Sequence, residues 1–184
     1  MRNCIFLDRD GTINQEVGYL CSTEQIKILD GAAEGIRKWN ENGFLVIMVS
    51  NQSGIARGYF SMQTAQQINT EIIKRLKSKG ARIDDVYLCP HHKEGIIPEY
   101  AVCCTCRKPL PGMIWKARDQ YQIDLSQSYM IGDKESDLAA ARNAGCRGIL
   151  VMTGYGEQEV HNIAEKPYYI AKNLDDAAQM ITGR

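Results

Sequence analysis

The chain has 184 residues, 44% of them apolar and 24% charged, which suits one compact globular domain able to bury a full core. Twenty-two Lys plus Arg balance twenty-two Asp plus Glu. That balance excludes overall charge as a means of holding a nucleic acid or an acidic membrane face, so any phosphate chemistry must come from a local site.

In chain order, the first apolar run is Cys4–Leu7, a buried strand by its pattern. It is too short for a signal-peptide core or a membrane span, and a cytosolic protein is expected. A long polar loop, Arg9–Leu29, follows. Asp30 reads as the cap of a helix over Ala32–Asn42 with Gly43 behind it, and Phe44–Val49 as the next strand. Ser61 caps a predicted helix over Met62–Ser78, with Gly80 after it. Val86–Leu88 is a strand that leads into a second long loop, Cys89–Lys108. Helices are predicted at Pro111–Tyr121, Glu135–Asn143 and Leu174–Ile181, alternating with strands at Tyr129–Ile131, Gly148–Val151 and Tyr168–Ile170. The alternation predicts a single Rossmann-like doubly wound α/β domain over residues 1–184, with its ligand site outside the carboxyl ends of the strands. No repeat, low-complexity tract or linker interrupts it, and loops as long as the two above are usually functional.

Acids and phosphate-type donors stand at those strand ends. Asp8 and Asp10 follow the first strand in DRDGT and, in extended geometry, face the same space; a divalent cation between them would suit oxygen ligands, although Asp-Gly also marks a plain turn. Asp133, in GDKESD, follows another strand, with Lys134 and Asp137 beside it; helix capping is the other reading of these acids. Ser50, Asn51, Gln52 and Ser53 end the most apolar strand in hydroxyl and amide groups fit to hold phosphate oxygens or to make an ordinary polar loop.

The loop CPHHKEGIIPEYAVCCTCRKP carries four of the seven cysteines and two of the three histidines. A C-x-H plus C-x-C set satisfies tetrahedral zinc, and four protein ligands leave no open position, so such an ion is structural. Spacing leaves His91 or His92, and Cys103 or Cys104, open. Partly buried thiols and a zinc-ribbon nucleic-acid module are the alternatives; the second lacks a basic stripe. Cys4, Cys21 and Cys146 are scattered singly, as small core residues are.

Asp8-x-Asp10-Gly-Thr, Ser50, Arg107-Lys108 and Gly132-Asp133-x-x-x-Asp137 closely resemble, in order, the four motifs of haloacid dehalogenase (HAD) superfamily phosphatases, over nearly the whole chain. The resemblance implies a HAD-like sheet without a large cap domain, Asp8 as nucleophile, Asp10 as general acid and then base, and Ser50 and Lys108 on the transferring phosphoryl group. It implies Mg²⁺ on Asp8, Asp133 and the backbone carbonyl of Asp10. Within the superfamily, DRDGTIN, Gly18-Tyr19, SNQSGIARG, CPHH, CxCRKP, PGM and GDK resemble the D-glycero-D-manno-heptose 1,7-bisphosphate 7-phosphatases of lipopolysaccharide-precursor synthesis. The histidinol-phosphate phosphatases share DRDGT and CPH…CxCRKP but have NQDG and GDR where this chain has NQSG and GDK. Ser50 stands where Thr is more usual, and Glu16 departs from the family in a segment that lines the sugar site. By the same resemblance Cys89, His91, Cys104 and Cys106 hold zinc. The resemblance also implies that Glu16, Gly18, Tyr19, Ser50, Asn51, Gln52, Ser53, Arg107, Lys108 and Lys134 contact a small sugar bisphosphate; a monomer is expected. A non-catalytic zinc-stabilised phosphate-binding protein is the alternative from another class.

Overall fold

The computed structural model describes residues 1–183. Six strands, β1 (Cys4–Leu7), β2 (Leu45–Asn51), β3 (Asp85–Cys89), β4 (Tyr129–Gly132), β5 (Arg147–Val151) and β6 (Tyr169–Ala171), form one parallel sheet in the order β3-β2-β1-β4-β5-β6. The helices between them are α1 (Ala32–Glu41), α2 (Met62–Lys77), α3 (Gly112–Tyr121), α4 (Glu135–Ala144), the short α5 (Gly156–Glu159) and α6 (Leu174–Thr182). Among the described residues, no cap domain stands over the sheet.

The strands alternate their burial between two layers. Ile5, Leu7, Val46 and Met48 turn to the side covered by Trp39 of α1, Ile68 and Leu76 of α2 and Leu174 of α6. Cys4, Phe6, Leu45, Ile47 and Val49 face Met113 and Ile114 of α3 and Ala140 and Ala141 of α4. Both faces of the sheet are therefore covered, which is why the strands read as continuous apolar runs. Among the described residues, no helix is long and apolar enough to cross a membrane.

Most boundaries shift by one or two residues and α5 is not among the expected helices; two of the differences have a tertiary cause. The cap of α1 is Gly31, not Asp30: Gly31 takes a left-handed φ of 81° and makes no side-chain cap bond, and a Cβ there would lie 2.9 Å from the Asn173 side chain. Strand β2 runs two residues past Val49 because β3 supplies partners, Leu88 for Ser50 and Cys89 for Asn51. Ser50 is thus fixed in the sheet itself.

Candidate active site and metal centre

The chain leaves β1 towards the β2–β3 side and returns at β4 on the other, so β1 and β4 flank the point where the strand order reverses, where ligands of such sheets bind. Asp8 follows β1 and Asp133 follows β4. Together with Asp137, from the first turn of α4, they bring carboxylate oxygens within 4.8 Å of one another, and all three acids are buried. Into this cluster reaches the buried Lys108, whose Nζ lies 2.8 Å from Asp8 Oδ1 and 2.7 Å from Asp137 Oδ1 and donates to Val49 O at 2.9 Å. The contacts with Asp8 Oδ1 and Val49 O are hydrogen bonds, and that with Asp137 Oδ1 is a close ion pair.

The charges do not cancel. When all three carboxylates are ionised, they leave −2 against one ammonium, the complement of a single divalent cation. Their titration reflects the crowding: burial, then the charges of Asp8 and Asp137, push Asp133 up to about 8. Burial also raises Asp137, to about 6, with Lys108 opposing and Asp8 assisting the shift. Burial works against the Lys108 charge, but the Asp137 and Asp8 carboxylates outweigh it and hold the ammonium above its ordinary value. Asp133 Oδ2 accepts from Tyr155 N at 2.9 Å, while Oδ1 is buried without a partner. An orphaned hard oxygen in a doubly negative cluster fits Mg²⁺. Gly11 and Gly154, both at positive φ, close around Asp133, and a Cβ at either would run into its carboxylate.

Of the residues expected to hold magnesium, Asp8 and Asp133 are in the cluster, whereas the Asp10 carboxylate turns away to Arg9; the third clustered acid is Asp137. Asp8 and Asp10 nevertheless line one cleft of about 340 Å³, although the strand ends at Leu7. All the residues expected to contact substrate line it too. Several of their polar groups are already engaged. Asn51 clamps Lys108 by a reciprocal pair, Nδ2 donating to Lys108 O and Oδ1 accepting from Lys108 N, both at 3.0 Å. Gln52 donates to Ser50 Oγ at 2.7 Å and to Asp10 Oδ2 at 3.1 Å. Glu16 pairs with Lys134 at 3.0 Å and accepts from Gly18 N at 2.7 Å, and Lys134 also lies over the Tyr155 ring. Tyr19 packs edge-on against Tyr59.

The second cluster lies at the end of β3. Cys89, His91, Cys104 and Cys106 converge; the sulfur pairs are 3.0–3.5 Å apart and His91 Nδ1 is 3.4 Å from Cys106 and 3.6 Å from Cys89. Zinc bonds of about 2.3 Å to sulfur and 2.0–2.1 Å to nitrogen require tetrahedral edges of roughly 3.5–3.8 Å, so the set fits the ion with a small expansion. Cys106 is pulled down to about 5, first by its hydrogen bond with Cys89, whose own thiol that bond and burial push up. Two ambiguities of spacing close here: His92 turns to Arg57, and Cys103 is exposed outside the cluster. The span between the ligands is tied to the loop after β2, since Ile96 N and Ile97 N both donate to Ala56 O.

Sequence reasoning missed four contributors. Arg9, the variable residue of the D-x-D motif, is fully buried against Asp10. Asn69 of α2 holds it from behind. Thr153 and Tyr155, after β5, bind Gly11 O and Asp133 through a tertiary contact with no local signature.

A HAD-hydrolase-like family model matches residues 105–177. The D-glycero-alpha-D-manno-heptose-1,7-bisphosphate 7-phosphatase of Photorhabdus laumondii is 44% identical over 155 residues, covering 84% of this chain and 85% of that protein. The D-glycero-beta-D-manno-heptose-1,7-bisphosphate 7-phosphatase of Pasteurella multocida is 39% identical over 184 residues, 100% of this chain and 98% of that protein. Among solved structures, the D,D-heptose 1,7-bisphosphate phosphatase of B. bronchiseptica, complexed with magnesium and phosphate, superposes with a TM-score of 0.90 at 31% identity over 98% of both chains.

Proposed function

The chain belongs to the D-glycero-D-manno-heptose-1,7-bisphosphate 7-phosphatase family of HAD-like hydrolases, and from that premise we propose that it removes the C7 phosphate through an aspartyl-phosphate on Asp8. The observation that carries the reading is the doubly negative cluster of Asp8, Asp133, Asp137 and Lys108 opening on a cleft that also holds Asp10. A carboxylate attacks a phosphate dianion only if their repulsion is neutralised. Lys108, held at 2.8 Å from Asp8, supplies part of that neutralisation. Magnesium bound by Asp8, Asp133 and Asp137, with the Asp10 carbonyl, supplies the rest.

Asp8 attacks phosphorus as the bond to the sugar oxygen breaks, and Asp10 gives that oxygen its proton. Asp10 then takes a proton from water as the water oxygen attacks phosphorus and Asp8 is released. Ser50 and Lys108 hold the phosphoryl oxygens, so positioning and charge do most of the catalytic work. Asn51 supports the reading through the Lys108 backbone: it fixes the cation rather than the substrate. Zinc on Cys89, His91, Cys104 and Cys106 would hold the segment that ends in Arg107 and Lys108, and cysteines clustered as metal ligands rather than disulfides belong to a reducing, cytosolic compartment. The resulting heptose 1-phosphate is a precursor of nucleotide-activated heptose for lipopolysaccharide.

The test compares kcat/KM for the α and β heptose bisphosphates and for histidinol phosphate at one Mg²⁺ concentration. One of the two heptose anomers is expected to lead. A preference for histidinol phosphate would overturn the substrate, and no turnover of any of the three would return the chain to a phosphate-binding role.

A further inference from the structure

We infer that Arg9 is a positioning residue for the proton transfer: it fixes the Asp10 carboxyl so that its transferable proton sits on Oδ1. The inference rests on the assignment of Asp10 as general acid above. Arg9 is fully buried, and a buried guanidinium persists only when it is paired and hydrogen-bonded. Four of its five N–H groups are engaged: Nε to Asp10 Oδ1 at 3.0 Å, Nη2 to Asp10 Oδ2 at 2.7 Å and to Gln52 Oε1 at 2.9 Å, and Nη1 to Asn69 Oδ1 at 3.0 Å.

The fork holds both oxygens of Asp10 and so sets the plane of the carboxyl. The two oxygens are not equivalent. Oδ2 receives two donors, Arg9 Nη2 and Gln52 Nε2, which occupy both of its lone-pair directions. Oδ1 receives only Arg9 Nε and keeps one direction for a proton. When the bond from phosphorus to the sugar oxygen breaks and the bond from Asp8 to phosphorus forms, that proton moves from Oδ1 to the leaving oxygen. The carboxylate left behind already faces the guanidinium. Arg9 touches neither substrate nor phosphorus; it acts through Asp10, and Asn69 acts through Arg9.

A leaving group that departs as a stable anion does not need the proton. The experiment therefore measures kcat/KM, which reports transfer to Asp8, for the heptose bisphosphate and for p-nitrophenyl phosphate in Arg9→Lys, Asn69→Ala and, as reference, Asp10→Asn. General-acid assistance is worth about 10²–10⁴-fold. Arg9→Lys keeps charge and bulk but loses the fork, and is expected to lower the sugar-phosphate value by about 10–100-fold while p-nitrophenyl phosphate changes by no more than about threefold. Asn69→Ala, a milder change that stands in if Arg9→Lys does not fold, is expected to show the same selectivity at about 3–10-fold. Equal losses on both substrates in the Arg9 and Asn69 variants, with selective loss in Asp10→Asn, would overturn the role of Arg9. Equal losses in Asp10→Asn itself would overturn the acid assignment on which it rests.

Discussion

Replacing Lys108 by Met removes the one cation inside the acid cluster and keeps the side-chain bulk. The ammonium has three oxygens within 2.9 Å, so the loss leaves the buried Asp8 and Asp137 carboxylates without their counter-charge at the floor of the cleft. Breaking a buried pair in this way costs about 3–5 kcal/mol. For a chain of this size each kcal/mol moves Tm by about 2–4 °C, so a fall of about 6–20 °C is expected in EDTA. The pH dependence follows from the acids. Asp137 and Asp133 have folded-state values raised to about 6 and about 8. Groups raised in this way favour the fold fully below their unfolded values and lose that contribution as pH rises through the folded ones. Removing Lys108 deepens the loss, because it is Lys108 that holds Asp137 down. The Tm deficit of the variant is therefore expected to be small at pH 5, where the cluster takes up protons instead, and full at pH 8.5. Differential scanning calorimetry at both values in EDTA, with phosphate release assayed separately in Mg²⁺, measures it. A deficit equal at the two pH values, or below about 1 kcal/mol at pH 8.5, would refute the coupling of Lys108 to the carboxylates.

Asp8→Asn is expected to abolish phosphate release while leaving the fold intact and raising Tm in EDTA, because one of three crowded negative charges disappears; a lower Tm would show that Asp8 is needed for structure rather than chemistry. Zinc analysis should find one ion per chain, lost in Cys104→Ser but kept in Cys103→Ser, with kcat falling only in the first. Zinc retention in Cys104→Ser would refute the ligand set.

The sheet was legible because its central strands are buried on both faces and most of the longer helices are bounded by polar or glycine positions, patterns that need only neighbouring residues to read. The carboxyl-end rule then pointed to Asp8, Ser50 and Asp133 without any contact map. What escaped was tertiary. Arg9 lies between two acids and reads as a surface charge, yet Asn69 in α2 makes a buried place for its guanidinium. Asp137 reads as a helix-dipole acid as readily as a clustered one, because the difference is the arrival of Lys108 from a loop twenty-nine residues earlier. His91 and His92 are indistinguishable by spacing; the hydrogen bond from Arg57 draws one away. The Asp30 cap failed because proximity to Asn173, far along the chain, selects glycine at position 31.

The metal-ligand cluster at the end of β3 has a consequence for how this scaffold can diversify. His91 and Cys104 converge on that one cluster, so the twelve residues between them begin and end at nearly the same place. Their number is invisible to the sheet. Segments of other lengths are expected to be exchangeable there, provided the cluster still presents Arg107 and Lys108 to the cleft and the replacement supplies partners for Ala56 O and Arg57. The span between the ligands and the machinery of the cleft, which none of those twelve residues lines, are thereby open to separate alteration, and the four ligands mark where a designer would cut.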